Sequence, residues 1–217
     1  MSEINVSLLS SLRAQRNKAQ MITDSGDKWP EYGSGVGIYE AFLGLKSGHL
    51  RRICDRVSGH QVMGLDLMGD GTVLTELNIG GAAINLIDRR SDELRKKELE
   101  LGIVLIDGNI LASLTWKRLK VLNKKFDLIL FRPGAGIRNI TDKSAIHAWI
   151  LQQAWSVLGL GGTLIAQTPI ESQPLLEVWA SKKHDGLNAS CSKQYFSPRL
   201  VIKKLDHAPN KLPLKLS

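Results

Sequence analysis

Five short apolar runs, each followed by a turn and then a stretch of helical character, constrain this chain more than any other feature. They are 62–68, 83–88, 103–107, 126–131 and 162–167. A continuous apolar run bounded by turn residues reads as a strand buried on both faces, which parallel sheets require. The stretches between them read as helices. Residues 72–77 follow the Gly69-Asp70-Gly71 turn, and 91–101 begin at Ser91, a good N-cap, and stop at Gly102. Residues 111–122, 142–158 (closed by Gly159) and 171–183 complete the set. Two final runs, 189–196 and 200–205, flank Ser197-Pro198-Arg199 and read as a terminal hairpin. Strand–helix alternation through five units gives a parallel sheet with helices on both faces. The expected class is therefore α/β, a Rossmann-like doubly wound sheet closed by a C-terminal antiparallel hairpin.

The first 57 residues have a different texture. Residues 5–22 carry apolar positions at helical spacing, 24–37 form a Gly- and Ser-containing loop, and 38–45 and 50–57 read as short helices. They form an N-terminal helical cap, 1–57, on an α/β body, 58–206. A tail, 207–217, with two prolines and two lysines, is expected to be loosely ordered.

Composition excludes several classes. No apolar run approaches the roughly 18–20 residues that a membrane-spanning helix needs, and the first residues carry no basic-then-apolar secretion pattern. Cys54 and Cys191 are the two cysteines, too few for a disulfide framework, so a reduced, cytoplasmic setting is expected. The five histidines are scattered, and none lies three or four residues from another histidine or a cysteine, so no metal site is expected. The net charge of +8 favours acidic partners, RNA or another anionic substrate among them, although the basic residues come in dispersed pairs such as Lys96-Lys97 and Lys124-Lys125. Oligomeric state is not legible.

In open α/β sheets, ligands bind beyond the carboxyl ends of the strands. The residues there are Asp66, Gly69, Asp70 and Gly71 after the first run, Asp88 and Arg89 after the second, Asp107, Gly108 and Asn109 after the third, and Arg132 after the fourth. Glycines let the chain turn tightly and approach a ligand. A carboxylate at the second tip, such as Asp88, can accept hydrogen bonds from two ribose hydroxyls. Each signal alone is weak; the ordered set is specific.

That ordered set resembles the class I S-adenosylmethionine-dependent methyltransferases over roughly residues 60–205. The glycine-rich first loop is similar to Leu65-Asp66-Leu67-Met68-Gly69-Asp70-Gly71, the ribose-binding acid to Asp88, and the adenine-side acid to Asp107 in Ile106-Asp107-Gly108-Asn109. The fourth-strand signature is similar to Phe126-Asp127-Leu128-Ile129-Leu130, and the approach to strand five to Leu158-Gly159-Leu160-Gly161-Gly162-Thr163. The resemblance implies S-adenosyl-L-methionine as cofactor, held by Asp66, Gly69, Asp70, Gly71, Asp88, Arg89, Asp107, Gly108 and Asn109. Arg132 would touch substrate, and Trp29, Tyr32 and Tyr39 would cover the cofactor or stack on a planar substrate. The chain departs from the family in one place: the family's glycines lie two, four and six residues after the first Asp, whereas Gly69 and Gly71 lie three and five after it. Met68 and Thr72 take two of the expected places. Residues 131–134, Phe-Arg-Pro-Gly, also lack the Asn/Asp-Pro-Pro-aromatic signature of amino-directed nucleic-acid methyltransferases. No catalytic residue carries over. Two other functions use similar architecture. A nicotinamide-dependent oxidoreductase, NAD or NADP, is disfavoured because Gly69-Asp70-Gly71-Thr72-Val73-Leu74 lacks the third glycine of Gly-x-Gly-x-x-Gly. A non-catalytic methyltransferase-like fold that binds RNA or a protein is the other.

Overall fold

The computed structural model describes residues 35–85, 90–133, 144–193 and 198–214. The chain runs α1 (Val36–Phe42), α2 (His49–Cys54), β1 (Met63–Leu67), α3 (Thr72–Leu77), β2 (Gly80–Asn85), α4 (Asp92–Glu100), β3 (Ile103–Asp107) and α5 (Ser113–Val121). It continues through β4 (Phe126–Phe131), α6 (Ser144–Val157), β5 (Leu158–Gln167), α7 (Gln173–Ala180), β6 (Leu187–Ser192) and β7 (Arg199–Lys204). One seven-stranded sheet has the order β3-β2-β1-β4-β5-β7-β6. Strands β1 to β5 pair in parallel, and β7 enters antiparallel between β5 and β6. The α/β class and the terminal hairpin are as expected. An antiparallel β7 is foreign to the all-parallel 3-2-1-4-5-6 dinucleotide-binding sheet.

Period-two alternation divides the core. Leu128 and Leu130 of β4 join one apolar cluster with Tyr39, Leu43, Leu50, Val73 and Leu74, which lines α1, α2 and α3. Ile129 and Phe131 join the other, with Trp116, Leu119, Ile150 and Trp155 from α5 and α6. Four tryptophans line the helices: Trp116, Trp155 and Trp179 are buried, and Trp149 packs partly buried against the same core. The Ser91 cap is present, its Oγ accepting from Leu94 N at 3.2 Å.

Three expectations need correction. The second strand begins at Gly80 rather than at 83 and is described as far as Asn85, so the expected end at Asp88 lies outside the described residues. Gly80 and Gly81 read as breakers, yet they pair with Met63 and Gly64, and a side chain at 81 would run into the Gly64 backbone. The fifth strand begins at Leu158 opposite Phe126, skips register, and resumes at Thr163 opposite Leu128. The intervening glycines therefore form an irregularity inside β5 rather than a turn before it. The tail is anchored through residue 214: Trp155 Nε1 donates to Pro209 O at 2.9 Å, Trp179 Nε1 to Pro213 O at 2.7 Å, and Leu212 is buried.

Trp179→Phe keeps the ring but strands the Pro213 carbonyl. We expect a loss of about 1 kcal/mol in urea unfolding with an unchanged m-value, and faster amide exchange confined to 207–214. Uniform exchange rates in that segment would contradict the anchoring role.

Candidate functional site

The tips of β3, β2, β1 and β4 lie side by side, and register makes them level: Asn85 is opposite Asp107, and Leu67 is opposite both Ile84 and Phe131. The structure thus brings Asp66, Gly69, Asp70 and Gly71 to the same edge as Asp107, Gly108, Asn109 and Arg132. Asp88, Arg89, Trp29 and Tyr32 lie outside the described residues.

At the centre of this edge stands Asp66, in the interior-facing register of β1 and fully buried. Its Oδ1 accepts from the Tyr39 hydroxyl at 2.5 Å and its Oδ2 from Gly71 N at 3.3 Å. Burial pushes its carboxyl up to about 7, against the opposing pull of the Tyr39 bond and the Gly71 amide. Tyr39 is itself raised well above the phenolic range, first by burial and then by the Asp66 charge. The Arg132 guanidinium lies 4.7 Å from the Tyr39 ring centroid and 5.1 Å from that of Phe42. Arg132 is half-buried, at the tip of β4.

The glycine loop has a local logic. A side chain at 69 would collide with the Asp66 carboxyl, and one at 71 with the carboxyl of Glu98 from α4. Gly71 has φ +87, and Met68, two after Asp66, has φ 75, a left-handed conformation uncommon outside glycine. Asp70 Oδ1 accepts from Thr72 N at 3.0 Å, fixing the entry to α3. Arg90 pairs with the buried Glu98 at 2.6 Å.

At the β3 tip Asp107 is exposed. Gly108 N donates to Asn85 O at 3.1 Å, tying the two tips together, and Asn109 Oδ1 accepts from Leu111 N at 2.9 Å. A side chain at 108 would meet Thr115. Asp127, part of the fourth-strand signature, sits at the opposite edge, where it accepts from Met63 N at 2.9 Å and meets His60 at 3.0 Å.

Helix α1 crosses the carboxyl edge and is fastened at several points. Glu76 accepts from Val36 N at 2.6 Å, and the buried Glu40 accepts from Gly48 N and Leu50 N, both at 2.8 Å. Arg199, the first residue of β7, donates to Leu43 O and Gly44 O.

Sequence reasoning missed two residues. Tyr39 entered only as a covering aromatic, yet it is the partner of Asp66; nothing local in sequence signals a contact spanning 27 positions. His147 on α6 is buried against Phe131, ring centroids 5.7 Å apart, and burial lowers it to about 3. Among the described residues its ring nitrogens have no hydrogen-bond partner.

The architecture is that of the class I methyltransferases. The plantazolicin methyltransferase BpumL, solved with S-adenosylhomocysteine, aligns with TM-score 0.54 and 10% identity over 94% of this chain and 100% of that one. Two others align more loosely. An rRNA methylase from Streptococcus thermophilus has TM-score 0.48 and 15% identity, over 72% and 95% of the two chains. TrmN from Thermus thermophilus has TM-score 0.49 and 21% identity, over 81% of this chain and 51% of TrmN, so the chain spans about half of TrmN. No protein-family model and no curated sequence matches the chain.

The raised Asp66 makes a prediction. Unfolded, its carboxyl titrates near 3.8; folded, near 7. Between those values the native state holds the extra proton, so this residue's contribution to stability falls as pH rises. Asp66→Asn cannot titrate. The stability of Asp66→Asn relative to wild type should therefore grow from pH 4 to pH 7.5, on the order of 2–4 kcal/mol in urea unfolding. A difference flat in pH would contradict a raised Asp66.

Proposed function

We propose that the chain binds S-adenosylmethionine along the carboxyl edge and transfers its methyl group to RNA or another anionic acceptor. The observation that carries this is Asp66: a fully buried carboxyl near the tip of β1, the middle of the five parallel strands, in a methyltransferase-type sheet. An ionised carboxyl so placed is costly unless paired, and a ligand ammonium group suits it.

The fit differs between the two ends of the cofactor. At the β2 and β3 tips, Asp107 is exposed and Asn85 half-buried, leaving polar groups available to a nucleoside. Asp88 and Arg89 are proposed to serve its ribose. At β1 the Tyr39 hydroxyl holds Asp66, so an amino group there would share the carboxylate with that hydroxyl or replace it. Gly69, Asp70 and Gly71 shape the loop around it, and Gly108 and Asn109 shape the loop at the β3 tip.

When bound, the cofactor supplies a methyl group already activated on sulfur. The remaining task of the protein is alignment and exclusion of water, and alignment alone contributes roughly 7–11 kcal/mol in favourable cases. Arg132, beside Tyr39 and Phe42 at the β4 tip, is proposed to hold the acceptor. Trp29 and Tyr32 are proposed to cover it. The domain division into a cap, 1–57, a cofactor-binding body, 58–206, and a tail, 207–217, belongs to the same reading.

A second reading, a methyltransferase-like fold that binds without catalysis, is favoured by the closed state of Asp66. Titration calorimetry with S-adenosylhomocysteine separates the two. If the ammonium needs an ionised Asp66, affinity should rise about tenfold from pH 6 to pH 8, following the ionised fraction. Asp66→Asn should bind weakly at both values, and in Tyr39→Phe, which loses the hydroxyl that lowers Asp66, the rise in affinity should move to higher pH. Absent binding, or binding indifferent to Asp66→Asn, overturns the cofactor assignment.

A further inference from the structure

The basic residues are dispersed in sequence, but the fold collects one group of them. His49, Arg52 and Arg56 are spaced three and four apart, which places them on one stripe of α2 and the turn that follows. Arg52 and Arg56 are exposed, as is Lys46 just before the helix. The imidazole of His49 is lowered by burial first and then by the charges of Arg52 and Arg199, against the opposing pull of Glu40, with Arg56 adding a smaller push in the same direction. Of the acids nearby, Glu40 is buried and committed to the amides of Gly48 and Leu50, the Glu76 carboxyl accepts from Val36 N, Asp127 accepts from Met63 N, and Asp55 is exposed at the end of the helix.

This stripe leads to the candidate site. Arg199 grips Leu43 O and Gly44 O at the end of α1, and the half-buried ring of Phe42, the residue before Leu43, lies beneath the Arg132 guanidinium. A guanidinium against an aromatic ring at the end of a cationic track is a combination that suits a nucleobase, by stacking, and the phosphates that follow it.

We propose that the α2 face of Lys46, Arg52 and Arg56 is a phosphodiester track that seats single-stranded RNA and delivers a base to Arg132 and Phe42. The inference rests on the methyltransferase reading above for the identity of the site it serves. Charge complementarity selects the partner: net charge is +8, and the stripe opens onto the edge where an acceptor must arrive.

A second basic face serves as the control. Lys117 and Lys124 are exposed on and just after α5. That helix shares a core with α6 on the other side of the sheet, and its Lys120 and neighbouring Lys125 bond to α6.

The test is fluorescence anisotropy of a labelled 20-nucleotide single-stranded RNA across a salt series. The proteins are wild type, Arg52→Ala/Arg56→Ala, Arg52→Lys/Arg56→Lys and Lys117→Ala/Lys124→Ala. Losing two phosphate contacts should weaken binding about tenfold and flatten the log K against log salt slope by roughly 1.4. The lysine pair should restore most of the affinity, and the α5 pair should change it less than threefold. Equal weakening by both alanine pairs overturns the proposal, because it would report net charge alone. So does no RNA binding, or tighter binding to phosphatidylserine vesicles than to RNA. Single-stranded DNA with the same dependence on Arg52 and Arg56 supports the track without the choice of sugar. Calorimetry with S-adenosylhomocysteine on Arg52→Ala/Arg56→Ala keeps the two readings apart. Unchanged cofactor binding with lost RNA binding supports the track, RNA binding by a protein that binds no cofactor removes the methyltransferase reading alone, and cofactor binding without RNA binding removes the track alone.

Discussion

A carboxyl group buried near the tip of β1, the middle of the five parallel strands, governs the organisation of this edge of the molecule. Asp66 is fully buried, and an unpaired charge there would cost several kcal/mol. The fold meets that demand from two directions. The Gly71 amide comes from its own loop, and the Tyr39 hydroxyl from a helix that precedes the strand by more than twenty residues. Arg132 then lies over the Tyr39 ring and contributes positive potential to the pair. Helix α1 is therefore more than apolar cover. Its position is set by a polar contact, and Glu76, Glu40 and Arg199 hold it there. Because Tyr39 of α1 and Asp66 of β1 share a hydrogen bond, the placement of α1 and the state of the Asp66 carboxyl are coupled.

The sequence made much of the sheet legible, for identifiable reasons. Strands β3 and β4 are continuous apolar runs ending in strong turn residues, and the structure places them where the pattern does. The boundary of β2 was misplaced because glycine ordinarily breaks strands. Here Gly64 and Gly81 lie so close that no side chain fits between the backbones, a requirement that appears only when β1 and β2 are paired. The tail was misjudged for a related reason. Its order comes from two indole donors on α6 and α7 that seek carbonyls, and the pairing of Trp155 with Pro209 and Trp179 with Pro213 is long-range.

The site was legible in position and less so in cause. Asp66, the loop after it, Asp107 and Arg132 do share one edge, as the order of strands and tips implies. The role of Tyr39 was not readable, because burial and a contact across 27 positions decide it. The basic stripe on α2 was hidden in the same way. Arg52 and Arg56 look like ordinary solvating cations until the fold brings Arg199, from far along the chain, to the end of α1.

The altered glycine spacing and the buried carboxyl are two aspects of one arrangement. Where the family pattern has a glycine two residues after the first Asp, this chain has Met68, and Met68 takes the left-handed backbone conformation a glycine would take. That conformation costs a bulky residue about 1–2 kcal/mol, so the turn is being held by something stronger than local preference. The displaced glycine, Gly69, occupies the position where a side chain would run into the Asp66 carboxyl. Its absence of a side chain is what lets that carboxyl fold under the loop towards the Gly71 amide. On this backbone any side chain at 69 would meet the Asp66 carboxyl, so this placement of Asp66 beside Tyr39 requires glycine there. The shifted glycine thus selects the closed, buried carboxyl, and the strain at Met68 is the local cost of keeping the turn in register while it does so.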